Sequence, residues 1–299
     1  MGRSPVVAEI FGGVETGGTW CVCAAGTGPE DLMALERFPT GSPEETLERI
    51  VAFFRRGPTP TAVGIGSFGP ADLDPSSATW GTVTSTPKPG WQDVAVAPVV
   101  AERLGVPVAF DTDVNAAALG EQRWGAGRGL DSLCYLTVGT GVGAGLIVAG
   151  HTLRGLIHPE VGHMRIPHDL ARDPFPGSCP RHGDCWEGLA SGAAMAARWQ
   201  MPAQDLPEDH PAWLLEADYL AAGILNIVSV ASPRRVIAGG GVMAHGGLLG
   251  LVSDRLRQLV GGYLRTPLLS ERIEEYLVRP QLGDRAGVLG AIALAQTAR

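Results

Sequence analysis

A chain of 299 residues, 45% of them hydrophobic, can bury the cores of two domains. Its formal net charge of −8 argues against nucleic acid or an anionic membrane surface as a partner. No uninterrupted apolar run is long enough to cross a bilayer, and the odd count of 5 cysteines with no signal-peptide pattern points to a reducing, cytoplasmic setting rather than a disulfide framework.

In chain order, residues 7–25 read as a strand, a glycine-rich turn and a second strand, divided after Gly12-Gly13. Pro43–Phe54 reads as a helix, with Ser42 as N-cap and proline at the first helical position. Ala62–Phe68 is a short buried strand, Val94–Leu104 a helix, and Val106–Phe110 a strand running into Asp111-Thr112-Asp113. An alanine-rich helix follows over Val114–Trp124. A second strand–turn–strand unit then begins at Leu133–Val138, turns on Gly139–Gly143 and returns as Ala144–Val148. Two hairpins with Gly/Thr-rich tips in matching places predict a duplicated α/β fold with a cleft between halves, each tip offering amides and a hydroxyl to phosphate oxygens. A third glycine cluster, Gly239–Gly241, follows the strand Arg235–Ala238, where open α/β sheets bind ligands.

Asp113 lies at a strand end and a helix start, so it is either a base for a substrate hydroxyl or a plain N-cap. Asp111 competes for the first role, and Asn115 is placed to brace the turn. From Glu160 to Glu187 the chain offers His163, Cys179, His182 and Cys185 at spacings that close around one tetrahedral Zn²⁺, with His158 or His168 as substitutes for His163. The intervening Pro167–Pro180, poor in hydrophobic periodicity, needs such a staple to be ordered. Glu160 and Glu187 are either solvated charges or acceptors for vicinal sugar hydroxyls. As a pair of acids they also suit glycoside hydrolysis, which leaves three glycine clusters unexplained. Cys21, Cys23 and Cys134 sit in apolar runs and read as buried small side chains.

Together these segments resemble the ROK family of sugar kinases, most closely its bacterial zinc-containing fructokinases. The motifs are Gly12–Thr19, Gly64–Pro70, Thr86-Pro-Lys-Pro-Gly-Trp91, Asp111–Ala118, Gly139–Gly143, Glu160–His163, Cys179–Glu187 and Gly239–Met243. The resemblance implies two RNase H-like α/β domains of the actin/hexokinase superfamily around a central cleft, and a homodimer. The first domain would hold residues 1–112 and about 284–299, through a last helix near Gly287–Thr297; the second would hold 113–283, with the zinc-binding loop at 163–185. It implies Asp113 as the catalytic base and Thr112, Glu160, His163 and Glu187 as sugar contacts. Gly17, Gly18, Thr19, Gly139, Thr140, Gly141, Gly239, Gly240, Gly241, Val242 and Met243 would bind the nucleotide. His163, Cys179, His182 and Cys185 would hold a structural Zn²⁺, and Mg²⁺ would accompany ATP.

The chain departs from the broader family pattern at Glu15, where many members carry aspartate, at Trp20, a frequent lysine position, and at Thr112, where glucose-specific members often carry asparagine. The expected reaction is ATP-dependent phosphorylation of D-fructose. The alternatives are mannose, glucose or an N-acetylhexosamine as acceptor, or a sugar sensor without turnover. Repressors of the family carry a helix-turn-helix domain ahead of the first loop, which opens here at Gly12, so an enzyme is expected.

Overall fold

The computed structural model describes residues 9–298, so the first positions of the strand expected from residue 7 lie outside the described residues. The chain divides into two compact units. The first opens with β1 (Phe11–Thr16), β2 (Trp20–Gly26) and β3 (Leu32–Pro39) as an antiparallel meander. The turn is at Gly17–Thr19 and not at Gly12-Gly13. Those two glycines lie inside β1 because Phe54 presses on one face of the strand and Ile292 on the other.

Helix α1 (Pro43–Arg56) begins with a capping box. Ser42 Oγ accepts the Glu45 amide at 3.4 Å, and the Glu45 carboxylate accepts the Ser42 amide at 3.2 Å. Its apolar face, with Leu47, Ile50 and Phe54, covers the sheet. β4 (Ala62–Ser67), β5 (Thr82–Val83), β6 (Val94–Ala95), α2 (Val96–Leu104), β7 (Val108–Thr112) and α3 (Asp113–Trp124) follow. The sheet order is β3-β2-β1-β4-β7, with β1, β4 and β7 parallel. Thr16 pairs with Ser67 and Ser67 with Thr112, so the β1–β2 tip and the start of α3 leave the sheet at the same edge.

The second unit repeats this plan. β8 (Leu133–Val138), β9 (Val142–Val148) and β10 (His151–Thr152) run antiparallel. α4 (Trp186–Ala190), α5 (Gly192–Trp199), α6 (Ala212–Ala231), β11 (Val236–Gly239), α7 (Leu248–Val260), α8 (Pro267–Ser270), α9 (Ile273–Tyr276) and β12 (Leu277–Val278) follow, in the sheet order β10-β9-β8-β11-β12. The sequence reading missed α6. By length and composition it is apolar enough to cross a membrane, but its buried face, with Trp213, Leu220 and Ile224, belongs to this unit's core.

The last helix, α10 (Ala286–Ala295), is buried on every side and returns to the first unit, against β1, β4 and α3. That packing carries α3 with it, so the first unit runs on to Trp124, takes in Arg154–His158 and resumes at Asp284, where the sequence reading had closed its first segment at 112. The approach is closer than side chains allow: a Cβ at Gly64 would collide with the Ala291 carbonyl, and one at Gly290 with the Ala116 carbonyl. Both obstacles are backbone, which cannot swing aside. Gly290→Ala should therefore lower the stability of the first unit by about 3 kcal/mol, read as a lower Tm.

Candidate active site

The β7–α3 junction separates the two competing aspartates. Asp111 is buried and fully engaged: Arg154 Nη2 donates to its Oδ2 at 2.6 Å, Asn115 Nδ2 to its Oδ1 at 2.7 Å, and the Thr112 amide to its Oδ1 at 2.8 Å. Asn115 therefore braces the turn through Asp111. The Thr112 hydroxyl accepts the Asn115 amide at 3.2 Å and caps α3. With the cap supplied, Asp113 is left half-buried; its Oδ1 accepts only the adjacent Val114 amide at 2.8 Å, and no cation pairs with it among the described residues. Burial pushes its carboxyl up to about 6, against the opposing backbone N–H groups. Glu15, on β1, places its carboxylate against Gly287 in the first turn of α10. Burial first, and then the charge of Asp113, push Glu15 up to about 7.

Both hairpin tips are solvent-facing at Gly18-Thr19 and at Thr140. The Gly17 amide closes the first tip on the Trp20 carbonyl at 2.8 Å, and the Gly139 amide closes the second on the Gly141 carbonyl at 2.9 Å. The amides of Gly18, Thr19, Thr140 and Gly141 have no hydrogen-bond partner among the described residues. Such unpaired donors at a tight turn suit phosphate oxygens. At the third glycine cluster Gly240 takes φ +96° and is exposed, whereas the side chains of Val242 and Met243 are buried in the core, so only backbone is presented there.

His163, Cys179, His182 and Cys185 converge, with ligand atoms all within 4.8 Å of one another, and can hold a metal ion. His163 Nδ1 lies 3.8 Å from Cys179 Sγ and 3.6 Å from Cys185 Sγ, and His182 Nδ1 lies 3.8 Å from Cys179 Sγ. Tetrahedral Zn²⁺ sets sulfur and nitrogen ligands about 3.6 Å apart, so the donor set fits. Burial pushes the Cys185 thiol up to about 11, with Cys179 adding to it; a cation among the sulfurs would reverse that preference. The proposed substitutes for His163 are engaged elsewhere. His158 Nε2 accepts the Ala71 amide at 3.1 Å, and the His168 ring meets the Asp184 carboxylate at 3.3 Å and the Asp173 carbonyl at 3.0 Å.

Glu160 and His163 stand one short turn apart, the His163 amide donating to the Glu160 carbonyl at 3.0 Å. Glu187, in the first turn of α4 just after Cys185, turns its Oε2 onto the Val142 amide at 3.1 Å, beside the second tip. The His/Cys cluster, the Glu187 carboxylate and the second hairpin are thus one connected structure within the second unit. Two residues escaped the sequence reading: Arg154, whose sequence position gives no hint of Asp111, and Lys88, seen only as part of a motif.

The ROK family pattern matches residues 11–298. A relative in Bacillus subtilis is 44% identical over 292 residues, 97% of this chain and 96% of its own. The fructokinase of Zymomonas mobilis is 42% identical over 298 residues, 97% of each chain. A ROK family glucokinase from Streptomyces griseus, solved with glucose and AMPPNP, superposes with a TM-score of 0.78 at 28% identity, covering 97% of this chain and 100% of its own.

Asp113 has a stability signature. Its raised pKa means the folded state holds the proton more tightly than the unfolded state, so stability is lost as pH rises between the ordinary aspartate value and about 6. Asp113→Asn should therefore raise Tm by a few degrees at pH 8 and leave it unchanged at pH 3.5, by thermal melts at both values.

Proposed function

The chain belongs to the ROK family, and from that membership we propose that it transfers the terminal phosphoryl group of ATP to the 6-hydroxyl of D-fructose. The observation that carries this reading is the 42% identity to the Zymomonas mobilis fructokinase along 97% of both chains. The nucleotide-bound relative supports a triphosphate as donor. The unpaired amides of Gly18, Thr19, Thr140 and Gly141 hold phosphate oxygens, on tips that the Gly17 and Gly139 amides close, and the backbone of Gly239–Met243 meets the adenosine. Thr112 retains a hydroxyl proton for the sugar, and Glu160, His163 and Glu187 accept or donate to its ring hydroxyls.

Asp113 points the 6-hydroxyl at the γ-phosphorus. The new O6–P bond forms as the bond from phosphorus to the β,γ-bridging oxygen breaks; that oxygen leaves with its electron pair as part of ADP, and the hydroxyl proton passes to Asp113. A sugar alcohol is far too weak an acid to be ionised beforehand by a carboxylate, so orientation does most of the work and proton transfer comes late. Mg²⁺ enters on the nucleotide, as part of the substrate. Zn²⁺ on His163, Cys179, His182 and Cys185 would be structural, since four protein ligands leave no open position.

Another hexose is the second reading, favoured by the glucokinase likeness. With ATP and a panel of fructose, mannose, glucose and N-acetylhexosamines, kcat/KM should be highest for fructose; preference for another sugar overturns the assignment. Asp113→Asn should lower kcat by about 10²–10⁴-fold while sugar affinity survives. The base works ionised, so log kcat/KM should fall with unit slope below about pH 6, well above the ordinary aspartate range. Purified active protein should carry one zinc per chain, and Cys179→Ser should lose it together with thermal stability; active wild-type protein free of metal would sink the structural role.

A further inference from the structure

Of the 23 lysines and arginines in the chain, one is a lysine, Lys88. Everywhere else a cationic side chain is needed, arginine supplies it. Lys88 lies in the first unit between β5 and β6, half-buried, in the Thr86–Trp91 motif to which the reading above gives no role. Its Nζ donates to the Gly18 carbonyl at 2.7 Å and reaches the Thr40 carbonyl at 3.4 Å. Gly18 is the apex of the first hairpin. The neighbouring carbonyls of that tip are also tied: Thr40 Oγ1 donates to Gly17 at 2.8 Å, and the Thr40 amide donates to Thr19 at 2.9 Å. Trp91, in the same motif, holds the Gly41 carbonyl through its indole N–H at 3.0 Å.

These bonds sort the polarity of the tip. Every carbonyl from Gly17 to Thr19 is occupied by a donor, while the amides of Gly18 and Thr19 stay unpaired among the described residues. An ammonium has three donors, of which the two carbonyls take at most two. No carboxylate pairs with Lys88 among the described residues. The next residue along the tip, Trp20, brings no charge of its own to it, and Arg37 is stacked on the Trp20 ring at 4.5 Å. A guanidinium donates in a fixed planar fork, whereas an ammonium can serve converging acceptors around one nitrogen, which explains a lysine here in an arginine-using chain.

We propose that Lys88 is the cation that receives the terminal phosphate of the nucleoside triphosphate at the first hairpin, its ammonium joining the Gly18 carbonyl to a γ-phosphate oxygen. This rests on the kinase reading above. It makes the Thr86–Trp91 segment a direct part of the donor site, with Trp91 holding it in place.

The test is equilibrium binding of ATP and of ADP, with Mg²⁺ and without sugar, to wild type and Lys88→Met. ATP affinity should fall about 10–100-fold, as expected for a lost charge-assisted hydrogen bond, and ADP affinity should change less than about 3-fold. Equal weakening of both nucleotides would mean that Lys88 only braces the loop; no change would mean it does neither; both overturn the proposal. If the variant fails to fold, the wild type answers instead, because the chain has a single lysine. Acetylation of Lys88 by an amine-reactive ester, read by peptide mass, should be suppressed by ATP and much less by ADP; equal suppression, or none, refutes the contact. Failure of the fructose assignment would appear separately, as wild-type turnover that prefers another sugar.

Discussion

The contact on which the first unit depends is the one between α10 and the sheet. A helix with no polar face must be covered all round, and here β1, β4 and α3 do the covering. Gly64 and Gly290 remove the side chains that would hold the backbones apart. The result is more than burial. Once α10 is seated, β1, β4 and β7 end in register at Thr16, Ser67 and Thr112, and whatever follows each strand emerges at one edge. The first hairpin tip and Asp113 are both such followers. The same seating brings the first turn of α10 against Glu15, which gives its carboxylate a fixed place.

At that edge three carboxylates are treated in two ways. Asp111 is given a guanidinium, an amide side chain and a backbone N–H, and is thereby spent on holding the turn. Asp113 and Glu15 are given little and are raised by burial, with Asp113 adding to Glu15. Leaving two desolvated acids only weakly compensated, by backbone N–H groups and for Glu15 the charge of Arg37, costs stability at neutral pH. The asymmetry is what the role proposed for Asp113 requires: the paired acid fixes geometry, and the unpaired one keeps its lone pairs for a ligand.

Much of this was legible in sequence where the signal is local. The capping box at Ser42 and Glu45, the Gly/Thr tips and the strand-to-helix change at Asp113 are each set within a few residues. The convergence of His163, Cys179, His182 and Cys185 was legible for the same reason, three of them lying within Cys179–Cys185. What was not legible depends on contacts far apart in the chain. Gly12-Gly13 resembled a turn because nothing local announces that Phe54 and Ile292 will press on them. Arg154 belongs to Asp111 through a segment that leaves the second half of the chain to join the first unit. The extra helical residues of the first unit followed from α3 packing on α10, a pairing between opposite ends of the sequence.

The two hairpins share a shape but not a charge environment, and the difference bears on what each can hold. The second tip has a carboxylate beside it: Glu187 occupies the Val142 amide, and its position descends from the His/Cys cluster through Cys185 and the buried Trp186. The first tip has an ammonium beside it, and its carbonyls are tied back by Lys88 and Thr40. Within each unit taken alone, the first tip therefore has a cation beside it, and the second a carboxylate. The terminal phosphate of a triphosphate carries up to two negative charges, more than either inner phosphate, so on the proposed kinase reading the first tip suits that group.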